Sequence, residues 1–336
     1  MIFLGFAFPM ALLIAVKLES LTCAETNLTE TPGKDYKEQP KHLGEQPVRR
    51  VVCSLGSFSL GGLKPAFSEQ QGVTFSICQN NHYATFYNNN WGIARYAVYK
   101  ITPSQARADR VQRPNDPWKP TKNPGNMIIR QGSNDLYKNQ PNQGEYERGH
   151  LVPVDILSYS DDSVLATFTY TNCVPQIANF NKGQWKKYEK KIVKYASSVC
   201  SLKGGTLYLI TGTSKVQFKE KLNPQGEITG VDTTVKPMGF FHDNVNRNPN
   251  LGSKIAIPNS MWTVGCCWNA KNRVVGAFGV MGTNSLNKPL NKFMMPKQSV
   301  AYVERVLKLE DPKITLFHDD NCYAQGKNVA LVNIPD

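Results

Sequence analysis

After its first 16 residues the chain has no apolar run long enough to cross a bilayer, where a helix needs roughly 20 residues. That leaves no place for a later transmembrane helix. There is no CxxC pair, and the adjacent Cys266-Cys267 is poor chelate spacing, which speaks against a zinc module. No internal repeat and no second linker occurs after residue 50. Acidic residues are scarce, 26 against 39 Lys and Arg, for a formal net charge of +13. Such an excess suits a polyanion (nucleic acid, anionic membrane or acidic glycan) or serves solubility alone. A hydrophobic fraction of 40% with 10% aromatics excludes global disorder and allows a packed core.

The opening MIFLGFAFPMALLIAV is uncharged, and Thr22-Cys23-Ala24 offers small residues suited to cleavage. Residues 1–24 read as a signal peptide, although the usual positive n-region is missing; a short signal anchor is the alternative. A secreted protein without stable membrane association is expected. Residues 25–50 are polar, carry Pro32, Pro40 and Pro47, and lack hydrophobic periodicity. They read as a flexible lead-in or a propeptide ending at the dibasic Arg49-Arg50, with a glycosylation sequon at Asn27-Leu28-Thr29. Residues 1–50 hold six basic and six acidic side chains, so the whole positive excess belongs to the body. Eight cysteines are present: Cys23, Cys53, Cys78, Cys173, Cys200, Cys266, Cys267 and Cys322. In an exported chain most should form disulfides. If Cys23 leaves with the signal, one of the remaining seven is free or joined to another chain.

Residues 51–336 read as a single domain. Strand-like runs recur at 73–77, 94–99, 206–211 and 274–280. Two helices interrupt them. One covers about 181–199, with Trp185, Tyr188, Ile192, Ala196 and Val199 on one face; the other covers 298–309, burying Val300, Val303, Val306 and Leu307. Strands and helices do not alternate regularly. The expected class is α+β with a central mixed or antiparallel sheet flanked by helices, not a doubly wound parallel sheet.

Chemistry concentrates between Glu147 and Glu189, in three segments: Glu147-Arg148-Gly149-His150-Leu151-Val152-Pro153, Thr171-Asn172-Cys173-Val174-Pro175-Gln176, and Asn181-Lys182-Gly183-Gln184-Trp185 leading to Glu189. Cutting a phosphodiester requires a base for water, for which an imidazole near its neutral-pH pKa is suited. A hard divalent cation can stabilise the phosphate and the leaving oxygen. An arginine fork can grip phosphate oxygens, and an Asn can lend Mg²⁺ a neutral oxygen. Glu189 lies eight residues after Asn181, a little over two helical turns, so the two can face one site. Each residue also has a plainer explanation. A lone His is usually surface or core. Asn at a helix start is usually a cap. Glu189 would ordinarily pair with Lys186 or Lys190. Lys182, Lys186, Lys187, Lys190, Lys191 and Lys194 would ordinarily be a solvated face, and Trp185 is core under either reading.

Taken together in this order and spacing, the three segments resemble the DNA/RNA non-specific endonuclease family, a branch of the ββα-metal (His-Me finger) nucleases, with the animal secreted branch the nearest in pattern. The resemblance spans roughly 75–285. It implies His150 as general base and Asn181 as the sole direct protein ligand of Mg²⁺ or Mn²⁺, with water completing the shell. It implies that Glu189 holds one of those waters and that Asn172 positions the metal cluster or phosphate. Arg148 would contact the phosphate or brace the site. A further phosphate-binding arginine is implied upstream, Arg113 first and Arg110 second. The substrate would be DNA and/or RNA with little sequence preference, the products 5′-phosphate and 3′-hydroxyl ends. Glu147 stands where the family usually has Asp, and it supports an alternative: a secreted nucleic-acid or polyanion binder with weakened catalysis. A third reading, a disulfide-rich protein aimed at membranes, rests only on the basic 181–199 helix, whose Trp185 faces the core.

Overall fold

A computed structural model describes residues 53–122, 128–139, 145–242, 254–285 and 299–324, with Leu331 and Ile334. The expectations for residues 1–50, including Cys23 and the Asn27 sequon, lie outside the described residues. The body, Val51–Asp336, is one compact unit.

Its centre is a six-stranded, wholly antiparallel sheet built from β1 (Thr74–Gln79), β2 (Tyr83–Asn88), β3 (Ile93–Ile101), β6 (Gly205–Ser214), β11 (Ser260–Asn269) and β12 (Val274–Thr283). Their spatial order is β1-β2-β3-β6-β11-β12. Both faces are covered, so the central strands are buried along nearly their whole length rather than alternating with polar residues. On one face Tyr83, Tyr99, Leu207, Leu209 and Phe278 meet Leu151, Val152, Trp185, Ile192 and Tyr195. On the other, Phe86, Tyr96, Val98, Ile210 and Trp262 meet the helix Val300–Leu307 through Val300, Val303, Val306 and Leu307. Two further strand pairs, β7 (Val216–Leu222) with β8 (Ile228–Val235) and β9 (Gly239–His242) with β10 (Lys254–Ile257), stand beside the main sheet.

Strand alternation resolves the adjacent cysteines. Cys266 points to one face and bonds Cys322, while Cys267 points to the other and bonds Cys200, the last residue of the helical turn Ala196–Cys200. Cys53 bonds Cys78, and among the described residues Cys173 is the one free thiol, and it is buried.

The site rests on a hairpin-plus-helix unit. β4 (Tyr146–His150) pairs with β5 (Cys173–Ile177), setting His150 opposite Cys173 and Glu147 opposite Gln176. Asn284, just past β12, accepts from the Ile177 backbone N–H at 2.8 Å and donates to the carbonyls of Pro175 and Pro258, locking β5 to the sheet. The helical run then starts at Ala178, three residues earlier than its periodicity suggests, and passes through a π turn, Asn181–Trp185, before the regular helix Lys186–Tyr195. Gly183 (φ −93°, ψ −113°) interrupts the π turn. A sequence pattern at helical spacing does not reveal such an insertion, because the apolar face resumes beyond it.

Candidate active site

A cleft of about 600 Å³ opens between β4 and the helical run, lined by residues that include Arg113, Arg148, His150, Asp155, Asn181 and Glu189. Five of the six expected site residues therefore meet on one wall system; Asn172 does not. Asn172 is fully buried, and its amide is spent on backbone. Its Oδ1 accepts from Val152 N–H at 2.8 Å, and its Nδ2 donates to the carbonyls of Val152 and Thr167. Asn172 thus clamps the turn after His150 and, unlike the other expected site residues, does not line the cleft; any part in positioning a metal cluster or phosphate would act through that turn.

His150 ends β4 and is 8% exposed. Its ring packs on Trp118 (centroids 4.6 Å apart) and edge-on to Phe168 (4.8 Å). The same two rings carry the arginines: Arg148 lies over Trp118 at 5.7 Å and Arg113 over Phe168 at 5.1 Å. Burial, then Arg113 and Arg148, push the imidazole pKa down to about 3. The ring is thus neutral at physiological pH, and its buried Nε2 has no hydrogen-bond partner. This differs from the near-neutral pKa expected from residue type alone, because the arginines share the histidine's aromatic cage.

Arg113 faces the cleft, whereas Arg110 turns away to the Asp155 backbone carbonyl and Ser158 Oγ and lines a different hollow. Arg148 is braced by Asp116 at 2.8 Å and by Asn134 Oδ1. Asn181 opens the π turn with helical backbone angles, so it is not an N-cap. Its Nδ2 donates to Glu147 Oε2 at 2.8 Å, and Glu147 also pairs with Lys182. A carboxylate can only accept, so this bond commits the amide nitrogen and leaves the Asn181 oxygen for another partner. Glu189, partly exposed on the helix, has its pKa raised to about 8, by burial first and then by the Asp155 carboxylate.

These residues fit a hydrated divalent cation. The free oxygen of Asn181 and two mutually repelling carboxylates, Asp155 and Glu189, suit a hard ion. Among the described residues no three His, Cys, Asp or Glu side chains group as a cage, so water would supply most of the shell. Asp155, Asp116, Asn134 and the aromatic cage of Trp118 and Phe168 were not singled out as site residues in the sequence; single residues distant in sequence carry no spacing signal.

The fold and cleft define a class: α+β proteins in which a ββα unit presents an imidazole and an amide to a basic groove. The DNA/RNA non-specific endonuclease profile matches residues 65–314, and the chain belongs to that family. A nuclease of Nostoc sp. (strain PCC 7120) is 27% identical over 133 residues, 39% of this chain and 43% of the relative. The chain thus matches less than half the length of that relative. A crystal structure of the EndoG/EndoGI complex matches 70% of this chain and 84% of its own, with a TM-score of 0.48 and 17% identity.

Proposed function

We propose that this chain is a secreted, divalent-metal-dependent endonuclease that hydrolyses DNA and/or RNA with little sequence preference. The observation that carries the reading is the cleft itself, in which an unprotonated imidazole, an oriented amide oxygen and two arginines share one wall system. His150, whose neutral ring lines the cleft, accepts the proton of the attacking water. Arg113 and Arg148 grip the phosphate oxygens. The phosphate's charge offsets the two guanidiniums that depress the imidazole, so substrate binding itself strengthens the base. Asn181 would hold Mg²⁺ or Mn²⁺, with Glu189 holding water beside it, and the ion would supply Lewis-acid stabilisation of the phosphate and the leaving oxygen. Lysines contacting the backbone give affinity without base reading, which accounts for weak sequence preference.

Three disulfides support export. Among the described residues no helix is long and apolar enough to cross a membrane. The alternative of a weakened polyanion binder drew on Glu147; the bond from Asn181 to that carboxylate favours the catalytic reading instead.

Plasmid DNA and total RNA are to be incubated with Mg²⁺ and the wild type, His150→Ala, or wild type plus EDTA. Fragmentation by the wild type alone is expected. Equal cleavage in all three would defeat the proposal.

A further inference from the structure

The site helix carries its lysines in a pattern that the cleft chemistry does not use. Lys182 and Lys186 line the cleft. Lys186, Lys190 and Lys194 then follow at four-residue steps along Lys186–Tyr195, all exposed, while Ile192 and Tyr195 on the opposite side are buried. Each step advances about 6 Å along the axis, so the row continues roughly 12 Å past Lys186. Among the described residues none of Lys186, Lys190 and Lys194 has an acidic side chain within salt-bridge distance. Like charges four residues apart oppose helix formation. A helix face serving only solubility can alternate signs and avoid that repulsion; this one carries Glu189 as its single acid, and Glu189 lines the cleft.

We propose that Lys190 and Lys194 form a phosphate rail outside the cleft, which holds the backbone of a nucleic-acid strand running on from the cut bond. The proposal rests on the nuclease reading for its substrate. Duplex phosphates follow each strand at about 3.4 Å of axial rise, so the 12 Å row spans three to four nucleotides. The rail makes affinity depend on substrate length, and it adds to the salt dependence without reading bases. It touches no reacting atom.

The test is equilibrium binding of a labelled duplex of roughly 30 base pairs, followed across monovalent salt. It uses His150→Ala protein with EDTA, so that no cleavage intervenes. The K190A/K194A double variant is compared with K219A/K221A on β7, which removes the same charge from another surface. Each lost phosphate contact lowers the slope of log K against log salt by about 0.9. K190A/K194A should therefore flatten the slope by about 1.8, so that between 50 and 200 mM salt it loses roughly twelve-fold less affinity than its parent. K219A/K221A should leave the slope near the parent value. In active protein, K190A/K194A should raise KM on long duplex with kcat unchanged, and should leave a short oligonucleotide that only fills the cleft unaffected. Equal slopes in parent and K190A/K194A, or equal flattening in both double variants, would overturn the rail. A wild type that binds with the expected slopes but never cleaves would instead overturn the nuclease reading and leave the rail standing.

Discussion

At the scale of single residues, the site is built from side chains that commit one another. Glu147 is the clearest case. Its carboxylate takes the Asn181 N–H and so turns the amide oxygen free. Replacing it by Gln offers the amide a donor as well as an acceptor and loosens that orientation. Losing such a supporting contact typically costs 10–100-fold in metal affinity. Glu147→Gln should therefore need about ten-fold more Mg²⁺ for half-maximal cleavage while approaching wild-type rate at saturation; an unchanged Mg²⁺ titration would refute the orienting role. His150 and Glu189, both on the cleft wall, pull stability in opposite directions. His150 has a folded pKa near 3, below its ordinary 6.5, so the unfolded chain binds the extra proton and stability is lost as pH falls from about 6.5 towards 3. Glu189 has a folded pKa near 8, above its ordinary 4.5, so stability is lost as pH rises from about 4.5 through 8. Without metal, Glu189→Gln should therefore gain stability over wild type at pH 8 and gain little at pH 4.5, as read from urea midpoints. That His150, Asn181, Glu189 and Arg148 would meet at one cleft was legible in the sequence because they sit in short segments with fixed spacing. The lowered imidazole pKa was not, because it comes from Arg113, Trp118 and Phe168, which reach the ring only through tertiary folding.

At the scale of elements, the hairpin β4–β5 and the turn behind it fix where the imidazole points. Gly149 is needed for space: a Cβ there would lie 2.1 Å from Gln176 Oε1 and 2.6 Å from Gln176 Cβ. The second atom is anchored to the backbone and cannot swing away, so Gly149→Ala should cost about 1–3 kcal/mol and displace His150. Asn172→Ala would strand buried backbone groups of Val152 and Thr167 at about 1–3 kcal/mol each. Both variants should lower the urea midpoint together with activity; a loss of activity at wild-type stability would argue that Asn172 touches the chemistry after all. The strand runs and both helices were legible from apolar periodicity, and the sheet class from their irregular order. The π turn was not, since Asn181–Trp185 differs from a regular turn by backbone hydrogen bonding, which side-chain pattern does not encode.

At the scale of the molecule, disulfides tie the site layer to the sheet. Cys200–Cys267 closes a loop of 67 residues between the site helix and β11. In the loop-entropy account such a closure stabilises by about 4 kcal/mol. Cys200→Ser/Cys267→Ser should therefore unfold at lower denaturant yet keep its cleavage rate below the transition, because neither sulfur reaches the cleft. That cysteines would pair was legible from their number; which ones pair depends on the opposite faces of Cys266 and Cys267 once β11 is placed in the sheet.

The central claim is that His150 acts as the base beside a cation held at Asn181, and chemical rescue addresses it most directly. Single-turnover plasmid cleavage with Mg²⁺ is measured for wild type and for His150→Gly, with and without added imidazole. The cavity left behind Trp118 and Phe168 should admit the free ring. The variant is expected to be slower by about 10²–10⁴. Imidazole should restore a substantial part of that loss, only with Mg²⁺ present and not in the further variant Asn181→Ala. Cleavage by His150→Gly at the wild-type rate without imidazole would contradict the account.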